Sequence, residues 1–244
     1  MEVYWLEQSE KNVPAIDDWL SPKEQALRNA MPLAKRRTDW RLGRWTAKNA
    51  VALYFLYLQV PTDSQVLAGI EIRSASTGAP EAYFGDQPAA ATISLSHRAG
   101  IAACAVTMPG VELGCDLEMV EPRCDAFVSD YFTTAEQSFI AQAAVADRPL
   151  LLAMFWSAKE SALKALHEGL RLDTRSVIVN PGDVAFDSRG WSAMQVHYDD
   201  RRTFLGWWQH RDGLVRTVVA VPPPSPPIRL HLANYVGDVV PQCA

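Results

Sequence analysis

Trp156-Ser157-Ala158-Lys159-Glu160-Ser161-Ala162-Leu163-Lys164, read with Gly114-Cys115-Asp116-Leu117-Glu118 upstream of it, decides how this chain is organised. The upstream piece has strand character. Residues two apart in a strand share a face, which puts Val111, Leu113, Cys115, Leu117 and Met119 on one side and Glu112, Gly114, Asp116 and Glu118 on the other. The apolar side can enter a core while two carboxylates project together. The downstream piece has helical periodicity. At about 100° per residue, Leu151, Phe155, Ala158, Ala162 and Ala165 form one face, with Leu152, Trp156, Leu163 and Leu166 beside it. Glu160 and Lys164 fall one turn apart at the polar edge, where an exposed salt bridge contributes about 0.3–0.5 kcal/mol. Asp116, Glu118 and Glu160 together form a hard, oxygen-rich donor set suited to Mg²⁺, and such a set accepts Mn²⁺ as well.

The rest of the composition bounds the reading. With 244 residues, 48% of them hydrophobic, the chain can bury the core of one large domain or two small ones. A net charge of −5 argues against a general nucleic-acid binder. Cys104, Cys115, Cys124 and Cys243 form no Cys-x-x-Cys pair and no metal-ligand rhythm. Met1-Glu2-Val3-Tyr4-Trp5 lacks the basic, apolar sequence of a secretory signal, and the most apolar run, near 50–60, is too short to span a bilayer. A soluble, cytoplasmic protein without membrane or nucleic-acid partners is the expectation.

Along the chain, Ser21-Pro22-Lys23-Glu24 is a helix start with an N-cap serine and proline at the first position. A long helix is expected from about Leu33 to Leu58, stopped by Pro61. Ser74 to Pro80 is loop by composition, and 91–96 and 101–107 read as strands. Met108-Pro109-Gly110-Val111 suits a type II turn, so the carboxylate strand is expected to fold back on 101–107 as a hairpin. Thr133-Thr134-Ala135-Glu136 is a capping box opening a helix, and the signature helix is expected from Pro149 to His167, ended by Gly169. Four strands follow, at 176–180, 191–198, 204–210 and 214–221; a stiff proline-rich linker, 222–227, leads to a last segment at 228–235. No internal repeat is evident. On the long helix, Arg37, Arg41, Arg44 and Lys48 line up within about 80° of one another, which fits a solvated face or a phosphate-binding stripe. Lys159 falls inside the apolar arc of its helix. Either its stem snorkels out or its ammonium reaches a phosphate or carboxylate.

The two motifs, in this order and separation, resemble the signature of the 4′-phosphopantetheinyl transferases, specifically the large Sfp-type branch. The match is Gly114 to Glu118, with Cys115 replacing the usual branched aliphatic, and Trp156 to Lys164. The resemblance implies an α+β fold of two pseudo-symmetric halves, 1–109 and 110–244, with the active site between them. It implies transfer of the 4′-phosphopantetheine arm from coenzyme A to a serine of an apo acyl or peptidyl carrier protein, releasing 3′,5′-ADP, by a monomer. Asp116, Glu118 and Glu160 would hold Mg²⁺, Lys164 would neutralise phosphate, and Glu160 is the candidate base. Gly43-Arg44 matches a pair whose arginine binds the 3′-phosphate of coenzyme A, with Arg37, Arg41, Lys48 and Lys159 as further candidates. Ser94-Leu95-Ser96-His97 resembles an element in which Ser96 and His97 would hold coenzyme A phosphate. Gly78-Ala79-Pro80 stands where the family has a Gly-Lys-Pro or Gly-Arg-Pro loop, so the backbone of Gly78 and Pro80 would still face adenine while a cation is missing. Residues 130–136 resemble a segment bordering the carrier-protein region, with Arg123 and Phe127 as docking candidates; Phe127 and Phe132 read equally well as core residues. The rival reading is a catalytically silent coenzyme A-binding regulatory homologue.

Overall fold

The computed structural model describes residues 1–60, 67–182, 190–199 and 202–232. In chain order it has β1 (Tyr4–Ser9), α1 (Pro22–Asn29), α2 (Ala34–Tyr57), β2 (Ile70–Ser74), β3 (Pro80–Phe84), β4 (Gln87–Pro88), β5 (Thr92–Arg98), β6 (Ile101–Thr107) and β7 (Glu112–Met119). These are followed by α3 (Asp125–Tyr131), α4 (Thr134–Gln142), α5 (Arg148–Ala165), β8 (Val177–Asn180), β9 (Ser192–Tyr198), β10 (Arg202–Arg211), β11 (Leu214–Val221) and β12 (Ile228–Arg229). The fold is α+β. One sheet runs β12-β1-β6-β5, a second β7-β11-β10-β9-β8, and a small third β2-β3-β4. α2 packs its Ala50, Val51, Tyr54 and Phe55 on the first sheet, and α5 its Leu151, Phe155, Ala158 and Ala162 on the second. Between the sheets, Val3 and, on β1, Trp5 meet Leu113, Cys115 and Leu117 of β7 in a third apolar cluster. No helix among the described residues is long and apolar enough to cross a membrane.

One expectation is corrected here. The carboxylate strand does not form a hairpin with β6, because both edges of β6 are already taken by β1 and β5. The chain instead turns at Gly110, whose φ is 80°, and crosses into the other sheet, where β7 pairs with β11. The pseudo-symmetry that the resemblance implies is visible in the topology. β1-β6-β5 and β7-β11-β10 share one antiparallel order, and each opening strand leads to a capped helix followed by a long one, with α3 inserted ahead of that pair in the second half. Laid over one another, Trp45-Thr46-Ala47-Lys48-Asn49 answers Trp156-Ser157-Ala158-Lys159-Glu160.

The repeat is built from the same chemistry twice. Ser21 caps α1 and Thr133 caps α4, each in a reciprocal box with Glu24 or Glu136. The other oxygen of each glutamate accepts a strand amide, Ile72 N to Glu24 at 3.1 Å and Val179 N to Glu136 at 3.0 Å. A lysine with no exposed side-chain surface completes each set, Lys48 on Glu24 and Lys159 on Glu136. Their remaining protons go to carbonyls, those of Trp19 and Leu67 for Lys48 and those of Thr174 and Val177 for Lys159. A buried charge is tolerable when paired and hydrogen-bonded in this way.

Where the two sheets meet edge to edge, side chains replace the backbone ladder. The amides of Cys115 and Leu117 on β7 donate to the hydroxyls of Ser94 and Ser96 on β5, at 3.0 and 3.2 Å. Serine at both positions therefore satisfies edge amides that would otherwise be buried without partners.

Candidate active site

Gly114 decides how closely α5 approaches β7. A Cβ there would lie 1.7 Å from the carbonyl oxygen of Ser161, so the helix backbone rests on the strand where only glycine fits. Ser157 and Ser161 of α5 then reach Thr217 of β11 through hydroxyl contacts of 2.8 and 2.7 Å, fixing the helix rotation. With that rotation fixed, Glu160 and Lys164 stand over Asp116.

Asp116 is 5% exposed, and its Oδ1 accepts from Ser96 Oγ and Lys164 Nζ, both at 2.7 Å. Lys164 thus pairs across to the strand, not along the helix with Glu160, and it also donates to the Cys115 carbonyl at 3.0 Å. Burial works against the charge on Lys164, but Asp116, Cys115 and Glu160 together outweigh it and hold its pKa above the usual lysine value. Glu118, 8% exposed, is met by Arg98 at 3.3 Å and Arg123 at 3.1 Å, and both arginines also pair with Glu121. Burial pushes the Glu118 carboxyl upward, against the pull of Arg98. Glu160 has no hydrogen-bond or ion-pair partner among the described residues. Burial, then the charge of Asp116, pushes its carboxyl from 4.5 up to about 7, with Lys164 acting in the opposite sense.

No three His, Cys, Asp or Glu side chains among the described residues are arranged to hold a metal ion as they stand. Glu118 is turned to its two arginines. The donor chemistry nevertheless fits a hard dication. The buried Asp116 and the half-buried Glu160 are carboxylates that repel each other, and Glu160 lacks a donor among the described residues, the condition a cation would relieve.

Beside these groups lies a cleft of about 230 Å³ between the halves. The Thr77–Pro80 turn and Ile93 to Leu95 form one wall, and Leu113, Leu163, Lys164, His167 and Gly169 the other. Gly78, at φ 91°, and Pro80 are therefore brought to the site, as is Lys164. The hydroxyl of Ser96 is committed to Asp116 and Leu117, while His97 points the other way along β5 and is exposed.

The basic candidates divide. Lys48 and Lys159 are corrections: both are fully buried structural cations, their pKa lowered by burial against the pull of Glu24 and Glu136. Lys159 does reach a carboxylate, but in the core. Arg37 donates to the carbonyls of Met31 and Pro32, and Arg41 to Asp17 and the Pro14 carbonyl, so both tie down the 14–32 segment. The Arg44 side chain is 13% exposed and lies over Trp40; its Nε stands 3.9 Å from Glu24 and makes no hydrogen bond among the described residues. Phe132 is core, whereas Phe127 is half-buried against Trp156 and Tyr131, with Arg123 over its ring. Sequence reading misses Ser94 as the second stitch, Arg98 as a partner of Glu118, and His167 as a wall of the cleft. Ser94 is legible as the residue two before Ser96 on a strand; Arg98 and His167 give no signal.

Residues 112–220, from the start of β7 into β11, match the family model of the 4′-phosphopantetheinyl transferase superfamily (ACPS). Among solved structures, the chain is similar to holo-[acyl-carrier-protein] synthase of Helicobacter pylori in complex with coenzyme A, at 19% identity, over 43% of this chain and 98% of that one, with a TM-score of 0.33. No curated protein matches the chain.

Proposed function

We propose that this chain is an Sfp-type 4′-phosphopantetheinyl transferase, moving the phosphopantetheine arm of coenzyme A to a serine of an apo acyl or peptidyl carrier protein. The observation that carries the reading is the set of Asp116, Lys164 and the unpaired Glu160 at a cleft, within a stretch matched by the superfamily. Balanced, the reaction forms a bond from the serine oxygen to phosphorus and breaks the bond from that phosphorus to the bridging oxygen, releasing 3′,5′-ADP. Glu160 is the candidate group to take the serine proton. Lys164 holds Asp116 in place and brings positive charge to the rim of the cleft. Mg²⁺, or Mn²⁺, would be held by Asp116 and Glu160, with Glu118 once released from Arg98 and Arg123, and would supply neutralisation of pyrophosphate charge. Arg44 is the remaining candidate of the basic stripe for a coenzyme A phosphate. The halves 1–109 and 110–244 serve as the two walls of the cleft, in a monomeric, cytoplasmic enzyme.

The test is intact-mass spectrometry of several apo carrier proteins incubated with the full chain, coenzyme A and Mg²⁺, beside Asp116→Ala and chelator controls. A phosphopantetheine mass gain abolished by both controls supports the reading. Coenzyme A binding without mass gain on any carrier refutes it in favour of a silent coenzyme A-binding regulator.

A further inference from the structure

Three residues of β5 point at β7 in a row. Ser94 and Ser96 accept the amides of Cys115 and Leu117, and Arg98, two residues further on the same face, meets a carboxylate instead. That carboxylate is Glu118, two residues beyond Asp116 on the face of β7 that carries the site. Its Oε2 is met by Arg98 at 3.3 Å, by Arg123 at 3.1 Å and by the Met119 amide at 3.1 Å. Glu121 stands opposite, its Oε1 taking Arg98 at 2.8 Å and Arg123 at 3.2 Å.

Two arginines and two glutamates thus form a closed ring whose charges cancel. Glu118 is its buried member and the other three are half-buried. Arg123 is steadied from behind by the Phe127 ring, whose centroid is 5.0 Å from the guanidinium carbon. As the ring holds it, Glu118 completes no metal-ligating set with Asp116 and Glu160. A cation gains this third ligand only by drawing it away from the arginines. Glu121 then still holds both guanidinium groups, so neither arginine is left without a partner and the exchange is reversible.

We infer that Arg98 and Arg123 are positioning residues that compete with the dication for Glu118, so that the ring sets the metal affinity of the site together with the carboxylates. This rests on Asp116, Glu118 and Glu160 being the metal ligands proposed above. The competition is reciprocal: loosening the ring tightens the metal by the factor that the metal loosens the ring.

Mn²⁺ binding by the full chain tests it, read from the loss of the free-ion electron paramagnetic resonance signal, with no carrier protein present. Arg98→Met keeps most of the stem and removes the charge. It should tighten Mn²⁺ about five- to twentyfold, within the usual range for coupled sites, and Arg123→Met should act in the same direction. Arg98→Lys keeps a charge but cannot bridge Glu118 and Glu121 as the fork does, and should fall between parent and Arg98→Met. In a Glu118→Gln background the arginine substitutions should change affinity by less than about twofold, since no carboxylate is there to release. Unchanged or weaker Mn²⁺ binding in both Met variants overturns the assignment and leaves the metal site standing. Equal tightening with and without Glu118 also overturns it, because the arginines then act only as general positive charge. Saturable binding that survives Asp116→Ala, or none in any form of the chain, sinks the metal site and the ring together.

Discussion

Glu160→Gln should make the protein more stable, and only above the pH at which an ordinary glutamate ionises. Burial and Asp116 raise the Glu160 carboxyl from 4.5 to about 7. A folded-state value above the unfolded one means that the folded protein binds the proton more tightly between those two pH values. Stability therefore falls as pH rises through that window and levels off above about 7. A tenfold change in proton affinity corresponds to about 1.4 kcal/mol, so the full penalty is on the order of 3 kcal/mol, reduced by the solvent that still reaches the half-buried side chain. A neutral glutamine escapes it. In a chain of this size about 2–4 °C accompanies each kcal/mol, so Glu160→Gln should melt several degrees above the parent at pH 8 with chelator present, and close to it at pH 4.5. Added Mg²⁺ should stabilise the parent and narrow the gap, because the parent alone keeps the ligand. Thermal melts at the two pH values, with and without Mg²⁺, read all of this. A gap that is the same at both pH values, or a variant less stable at pH 8, refutes the electrostatic account of Glu160.

Four further outcomes follow from the packing and the cleft. Gly114→Ala drives a Cβ into the Ser161 carbonyl, 1.7 Å away on the α5 backbone. It should cost several kcal/mol, seen as loss of soluble protein or a collapsed melting temperature. Lys159→Met strands Glu136 in the core and should cost about 3–5 kcal/mol, and Lys48→Met should do the same to Glu24; chemical denaturation checks both, and a near-neutral result at either would show that the pair is not needed. Ser94→Ala with Ser96→Ala leaves the Cys115 and Leu117 amides unpaired, at roughly 1–3 kcal/mol each. Hydrogen exchange should then speed up at those two amides before the rest of β7. Ala79→Lys restores a cation to the Thr77–Pro80 wall and should lower the KM for coenzyme A, so an unchanged or higher KM would count against that wall as the nucleotide side.

Periodicity carries much of the fold. β6 and β11 coincide with the strands read from alternation, and α2 falls within a residue of its expected bounds. What fails is pairing. Nothing local to Met108–Val111 reveals that β6 already has neighbours on both edges, because partner choice is set by residues far away in sequence. The site divides similarly. Asp116, Glu160 and Lys164 are legible because strand and helix geometry fix which way they face. Lys48 and Lys159 are misread because a basic residue on a helix says nothing about whether a buried glutamate waits opposite it. Glu24 and Glu136 are visible only as capping residues, and their second oxygens give no sign. The shared Trp-[Thr/Ser]-Ala-Lys is in plain view, but so short a match repeated once rises above chance only when the strand order repeats with it.

The doubling also raises the question of what became of the first half's own cleft. Overlaid, Asn49 falls on Glu160, Leu53 on Lys164 and Leu56 on His167. Where the second half has a charged rim, the first has leucines, and β12 runs parallel to β1 with Ile228 and Leu230 beside Leu53 and Leu56. One copy of the unit has thus become a greasy seat for the chain's own late strand, while the other kept a wet, charged mouth. A mutation that remakes the acidic and basic residues in the first copy would meet a seat already occupied. The asymmetry is therefore held twice, once by composition and once by occupancy, and the first copy can evolve as a wall for its neighbour's chemistry.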